Sequence, residues 1–378
     1  MKTQFLLSPD VTFLNHGSFG ACPKSVIEKY QYWQKELELQ PVQFMTEDVY
    51  THLKTARDSL SKFVGCEGDD MVFTPNPTTA GNTVINSLDL NPGDEILTTD
   101  HEYGALIRAW DTYCKRLNTK LIQRIIPIPV TTHDDFTEDF WNGVTGRTKV
   151  IFISQITSST ALIFPVHEIC RRAREQNILT IIDGAHVPGQ IPLNISEMDP
   201  DVYIGTCHKW LCAPKGSSFL YVRKSFQPKV KPLVVSWGNE GDDPSKSPFL
   251  LDNQWQGTRD MSAFLTIPVA IKFQQKNNWD NRTKKCRLIV RETRNRLDEH
   301  FQCTHFCPNT EEWLGQMASV KIKTNDPVKL KNTLINEFSI EVPIFEWRGN
   351  SIMRYSFQVY NDQKDADFLV NTLKDLLK

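Results

Sequence analysis

The sequence predicts an α/β fold: a mostly parallel sheet covered by helices, followed by a smaller α+β unit. Three observations carry this. Between about residues 70 and 224, short apolar runs alternate with segments of helical periodicity. The runs are continuously apolar, as strands buried on both faces are. Beyond about residue 260 the texture changes to charged helices and shorter strands, and 378 residues are enough for one large unit plus a smaller one.

In chain order, MVFTPN reads as a strand, TTAGNTVINSLDL as a helix and ILTT, after the turn NPGDE, as a strand. YGALIRAWDTYCKRL is helical and LIQRIIPIPV extended. KVIFISQI is a core strand. VHEICRRAREQN puts Val166, Ile169, Cys170 and Ala173 on one helical stripe. ILTIIDGA, DVYIGTC and SSFLYVRK complete the sheet. WGNEGDDPSKSPFLLDNQ reads as a long functional loop. Then come the charged helix TKKCRLIVRETRNRLDEHF, MASVKIKT, a helix over PVKLKNTLINEF, IEVPIFEW, SIMRYSFQVY and a last helix. The expected organisation is an N-terminal segment 1–20 contacting the active site, a large domain 21–260 and a small domain 261–378.

Hydrophobic residues make up 40% and charged residues 23%, with a net charge of −2, which points to a soluble protein without a nucleic-acid or anionic-membrane surface. No run approaches the roughly 20 apolar residues of a transmembrane helix, and MKTQFLLSPD is too weakly apolar for a signal peptide. Nine scattered cysteines suit free thiols in the cytoplasm. In CTHFC, a strand would put Cys303, His305 and Cys307 on one face, resembling a metal edge. No second ligand pair accompanies them, and the expectation is buried thiols.

Ligands in open α/β sheets bind beyond the carboxyl ends of the strands. There the sequence places Thr78 and Thr79, His101 and Tyr103, Ser158 and Thr160, Asp183 and His186, and Lys209. A lysine ending the apolar run DVYIGTC has its ammonium disfavoured, which leaves a nucleophilic amine able to condense with an aldehyde. Asp183, closing ILTII, needs a cationic partner. Thr78 and Thr79 sit where a helix N-terminus would receive an anion. There is neither a GxxxxGK[ST] loop nor a GxGxxG turn, which weakens the competing reading of a nucleotide-binding module. Lysine, aspartate and anion cradle match the aldehyde, ring nitrogen and phosphate of pyridoxal 5'-phosphate.

DGAHVPGQ, HKW and the APKG turn resemble fold-type I, class V aminotransferase-like enzymes. FLNHGSFG, TDHEYGA, SQITSSTALIFPV, WQGTRDMSA and RYSFQVYN resemble the isopenicillin N epimerase-like branch. The resemblance spans nearly the whole chain and implies a seven-stranded type of sheet between helices. It also implies that Lys209 carries the cofactor as a Schiff base and Asp183 holds the pyridine nitrogen. His186 would lie near the phenolic oxygen with Ser158 beside it, and Tyr103 would stack on the ring, with His101 sharing or replacing that role. Thr78, Thr79, Thr206 and His208 would hold the phosphate. Gln256, Gly257 and Thr258 would reach the phosphate of a neighbouring subunit, implying a homodimer with shared sites. Arg354 would bind the substrate α-carboxylate, and Asn15, His16, Ser18 and Trp237 would line the substrate side.

In one respect the chain departs from related cysteine desulfurases. Their reactive cysteine has no counterpart in TEEWLGQMASVKIKT. The expectation is an enzyme acting at Cα of an amino acid, with Lys209 as base. Epimerisation, transamination and a desulfurase- or selenocysteine lyase-like C–S or C–Se cleavage all remain open.

Overall fold

The structure, a computed structural model, describes residues 1–238 and 247–377. Its strands are β1 (Thr12–Phe13), β2 (Met71–Thr74), β3 (Glu95–Thr99), β4 (Lys120–Arg124), β5 (Thr148–Ser154), β6 (Leu179–Gly184), β7 (Val202–Thr206), β8 (Ser218–Val222), β9 (Met317–Lys321), β10 (Ile340–Glu341), β11 (Ile344–Trp347) and β12 (Asn350–Ser356). Seven of them form one sheet in the order β2-β8-β7-β6-β5-β3-β4. Only β8 runs antiparallel to its neighbours, so the mostly parallel expectation holds.

Alternate residues of each strand enter different cores. Val150 and Phe152 pack with Ile181, Val84 and Trp110 on one face. Ile151 and Ile153 pack with Ile182, Ile169 and Ala173 on the other. Burial on both faces is what makes these strands continuously apolar. In the helix Val166–Glu175 the buried residues are Val166, Ile169, Cys170 and Ala173, the stripe expected from the 3.6-residue period.

A second, antiparallel sheet has the order β11-β12-β9 and is covered by the helices Trp279–Phe301 and Pro327–Phe338, with Gln363–Leu376 packed on the first of them. β1 pairs in parallel with β10, tying the start of the chain to its last quarter.

Several segments differ from expectation. LIQRIIPIPV is extended as a strand only to Arg124, because Pro127 and Pro129 cannot donate to a ladder. Pro343 likewise separates β10 from β11. CTHFC is irregular rather than a strand; Cys307 is buried and its Sγ lies 3.2 Å from the Arg294 guanidinium. No metal-binding cluster of His, Cys, Asp or Glu occurs among the described residues. Of the expected long loop, residues 239–246 lie outside the described residues, and PFLLDNQ is a helix, Pro248–Gln254, capped by Ser247. No described helix is long and apolar enough to cross a membrane.

Candidate active site

β7 ends at Thr206, and the chain turns through His208, Lys209 and Trp210 beside the end of β6. This turn is held from outside by residues 15–20. The Gly20 N–H donates to the His208 carbonyl at 3.1 Å, and His16 Nε2 lies 3.0 Å from the Lys209 carbonyl. A Cβ on Gly20 would fall 2.2 Å from that carbonyl oxygen, so only glycine permits the approach. Both nitrogens of buried His16 are engaged, Nδ1 with the Tyr360 hydroxyl at 2.8 Å. Expected to line the substrate side, His16 instead clamps the backbone of the lysine.

Lys209 Nζ lies 3.1 Å from His186 Nε2. Burial pushes its ammonium down to about 8; Asp183 counteracts this and Arg354 adds to it. The amine is therefore more available as a nucleophile than an ordinary lysine. Lys215, in contrast, is exposed and donates to the Gly20 carbonyl. Asp183 is buried, and among the described residues its carboxylate accepts one hydrogen bond, from the Ala185 N–H at 2.9 Å. Burial holds this carboxyl above the usual range. A cation at its other oxygen would reverse that.

At the far end of the same row, Thr206 is fully buried and its hydroxyl has no partner among the described residues. His208 Nδ1 lies 2.9 Å from the Ser217 carbonyl. The helix Pro77–Ser87 begins with Asn76 as cap, whose side chain accepts from the Thr79 N–H and the Thr79 hydroxyl. Thr78 and Thr79 are part-buried at its first turn. Pro77 has no N–H and Asn76 takes that of Thr79, so Thr78 offers its N–H at the positive end of the helix dipole, where an anion is favoured. An orphaned buried hydroxyl, a helix N-terminus, an aspartate with an open oxygen and a depressed lysine fit the phosphate, ring nitrogen and aldehyde of pyridoxal 5'-phosphate.

Tyr103 caps the helix Gly104–Leu117 and is 43% exposed, with ring surface available for stacking. His101 is placed differently from expectation. It is wholly buried against Trp347 and Phe164, with Nδ1 2.7 Å from the Thr160 hydroxyl, and this packing between the two sheets removes it from the stacking role. Between them Glu102, which sequence reasoning passed over, is buried and accepts from the Thr99 hydroxyl at 2.7 Å and the Ser154 N–H at 2.9 Å. Burial pushes it up to about 7.

Arg354, on β12, is buried. It donates to the Ser158 carbonyl, to the Ser158 hydroxyl at 3.3 Å and to the Ser18 hydroxyl at 2.7 Å. None of its hydrogen bonds or ion pairs among the described residues goes to a carboxylate, and burial lowers it to about 10. Ser158, expected beside the cofactor's phenolic oxygen, therefore serves the arginine. Asn15 Oδ1 is buried without a partner among the described residues. Trp237 is 91% exposed and does not line the site within one chain. Gly257 (φ +99°) and Thr258 form a surface turn; nothing lies within 4 Å of a Cβ placed on Gly257.

The fold and this strand-end site together define a fold-type I enzyme dependent on pyridoxal phosphate. The chain belongs to the class-V aminotransferase family, which residues 20–369 match. It is 30% identical to the isopenicillin N epimerase of Streptomyces clavuligerus, over 99% of this chain and 97% of that protein. A probable chloroplastic L-cysteine desulfhydrase of Arabidopsis thaliana is 27% identical over 98% of this chain and 84% of its own length. Among solved structures, a complex of the cystine C–S lyase C-DES with its product cysteine persulfide superposes with a TM-score of 0.85 at 20% identity, covering 97% and 98% of the two chains. That likeness concerns the fold.

Proposed function

We propose that this enzyme removes the Cα proton of an α-amino acid whose carboxylate is held by Arg354. The observation that carries this is the buried guanidinium of Arg354, satisfied by neutral oxygens and lacking a carboxylate among the described residues. A buried charge without a counter-ion is unfavourable, and a substrate carboxylate supplies one in the geometry that guanidinium favours. Bound pyridoxal phosphate acts as the electron sink for the bond broken at Cα. Asp183 would hold its ring nitrogen, Tyr103 its face, and Thr78, Thr79, Thr206 and His208 its phosphate. Lys209 would anchor its aldehyde carbon and, once displaced by substrate, accept the Cα proton at Nζ.

A second reading, C–S cleavage of a cysteine-like substrate, is favoured by the desulfhydrases among the relatives. In that case Lys209, having taken the Cα proton, has His186 3.1 Å away as a second proton-bearing group. We also read the Gly257–Thr258 turn as serving a second copy's phosphate, since it is a surface turn near exposed Val235 and Trp237 in sequence.

The test is solvent-deuterium exchange at Cα, followed by proton NMR across a panel of amino acids, with sulfide and pyruvate release and chirality measured in parallel. Exchange with retention of the carbon skeleton supports epimerisation, and exchange with sulfide release supports the lyase. If pyridoxyl is fixed on Lys209 by borohydride yet no amino acid exchanges its Cα proton, the proposal fails.

A further inference from the structure

We propose that Trp210 is a positioning residue: it sets the tautomer of His186 so that a hydrogen-bond donor, and not an acceptor, faces the Lys209 amine. The inference rests on the reading of Lys209 as the cofactor-bearing amine. Nothing in the family likeness assigns this tryptophan a role beyond packing.

The geometry is a short chain of three side chains. The Trp210 indole is fully buried, and its N–H, a donor only, points at His186 Nδ1 at 3.3 Å. A neutral imidazole carries one proton. With Nδ1 accepting from the indole, that proton is on Nε2, the nitrogen 3.1 Å from Lys209 Nζ. Turning the ring over would put a carbon against the indole N–H and another against the amine, so the contacts specify this orientation. His186 is kept neutral by its surroundings: burial first, then Lys209 and Arg354, all oppose its protonation.

Both rings are pinned from the same side. A Cβ added to Gly17 would stand 3.6 Å from the Trp210 ring and 3.7 Å from His186 Cε1. The His16 ring centroid lies 5.1 Å from that of Trp210, and the Trp210 carbonyl accepts from Gln274 Nε2 at 2.9 Å.

The consequence falls on the amine. Nζ can accept from an imidazole N–H only when it is uncharged. Of the groups facing it, the Asp183 carboxylate favours the ammonium, while Arg354 and the His186 N–H favour the free amine. Losing the indole N–H frees Nδ1 to take the proton, turns an Nε2 lone pair toward Lys209 and favours the ammonium. A rise of one unit from the present value of about 8 leaves about ten-fold less free amine at pH 7. Near pH 10 both proteins are mostly deprotonated and the difference closes.

The experiment uses the full chain freed of pyridoxal 5'-phosphate, so that Lys209 carries its free amine, and labelled with 15N-histidine. Long-range 15N–1H spectra identify the tautomer, the His186 signals being those lost in His186→Gln. The wild type is expected to hold the Nε2–H form from about pH 6 to 9. Trp210→Phe is expected to populate the Nδ1–H form and to capture cofactor about ten-fold more slowly at pH 7, recovering by about pH 10. An Nδ1–H or imidazolium form in the wild type at neutral pH overturns the proposal even where the variant does not fold. An unchanged tautomer in Trp210→Phe also overturns it, as does a capture deficit equal at every pH, the mark of a purely structural role. If borohydride labels no Lys209 in the wild type, the reading of the lysine fails instead.

Discussion

Replacing Arg354 by alanine tests the substrate assignment most directly. The guanidinium already donates to the Ser158 carbonyl, the Ser158 hydroxyl and the Ser18 hydroxyl, so its plane is fixed before any ligand arrives. A carboxylate entering in its fork gains charge-assisted hydrogen bonds of about 1.5–3 kcal/mol in total and loses little side-chain entropy. At 1.4 kcal/mol per decade, Arg354→Ala should lower kcat/KM for an α-amino acid by about ten- to two-hundred-fold. Arg354→Lys should recover only part, since an ammonium is not a planar fork. The matching amine without a carboxylate is the control, because it never used the guanidinium. Steady-state kinetics on both compounds, with borohydride labelling of Lys209 to show that cofactor is retained, make up the assay. The same loss on acid and amine would refute the reasoning and leave Arg354 as a strut between β12, Ser158 and Ser18.

Lys209→Ala should abolish borohydride-fixed pyridoxyl with the fold retained, measured by peptide mass mapping and circular dichroism; label on Lys215 would contradict the assignment. Asp183→Ala should keep some cofactor yet lose most Cα exchange, and exchange near wild type would show that another acid serves the ring nitrogen. His16 has its pKa lowered to about 3 by burial. A histidine depressed below its unfolded value of about 6.5 stabilises the fold above that pH and loses the contribution as pH falls. Stability should drop by about 2 kcal/mol between pH 6.5 and 5 from this residue. Urea unfolding at both pH values, compared with His16→Gln, checks whether that slope disappears. Mixing inactive Lys209→Ala with inactive Thr258→Asp should restore about a quarter of wild-type activity if the turn serves a second copy's site; none would be regained if both residues serve the same chain.

Much of the large sheet was legible because burial on both faces writes each strand as an apolar run, and strand ends then show where polar groups collect. Asp183 and Lys209 stand out at strand ends from that pattern alone, while Thr206 enters only through the family resemblance. The helix Lys24–Leu39 has almost no apolar stripe, since only Val26 is buried in it, whereas Val49–Val64 does carry one, through Val49, Leu53, Ala56, Leu60 and Val64, and its 3.6-residue period was a readable signal. Glu102 had no local signal: its partners Thr99 and Ser154 sit on different strands, and a glutamate between histidine and tyrosine reads as exposed. His101 and Ser158 follow apolar strands in the sequence, yet the side chains they meet do not follow from it. Their contacts, Trp347 and Arg354, come from the second sheet, and no spacing in the sequence encodes that docking.

The clasp of residues 15–20 on the His208–Lys209 turn bears on how the protein is made. Those residues leave the ribosome more than 300 residues before their anchors, Ser356 and Tyr360 beside the β1–β10 pair. A nascent chain can complete the seven-stranded sheet while the lysine turn still lacks its outer brace. Firm retention of cofactor should then wait until residues 340–360 have left the ribosome and braced the turn. Ribosome-bound chains ending before β10 should collapse without holding pyridoxal phosphate, and the vitamin supply would act on finished protein rather than on its synthesis.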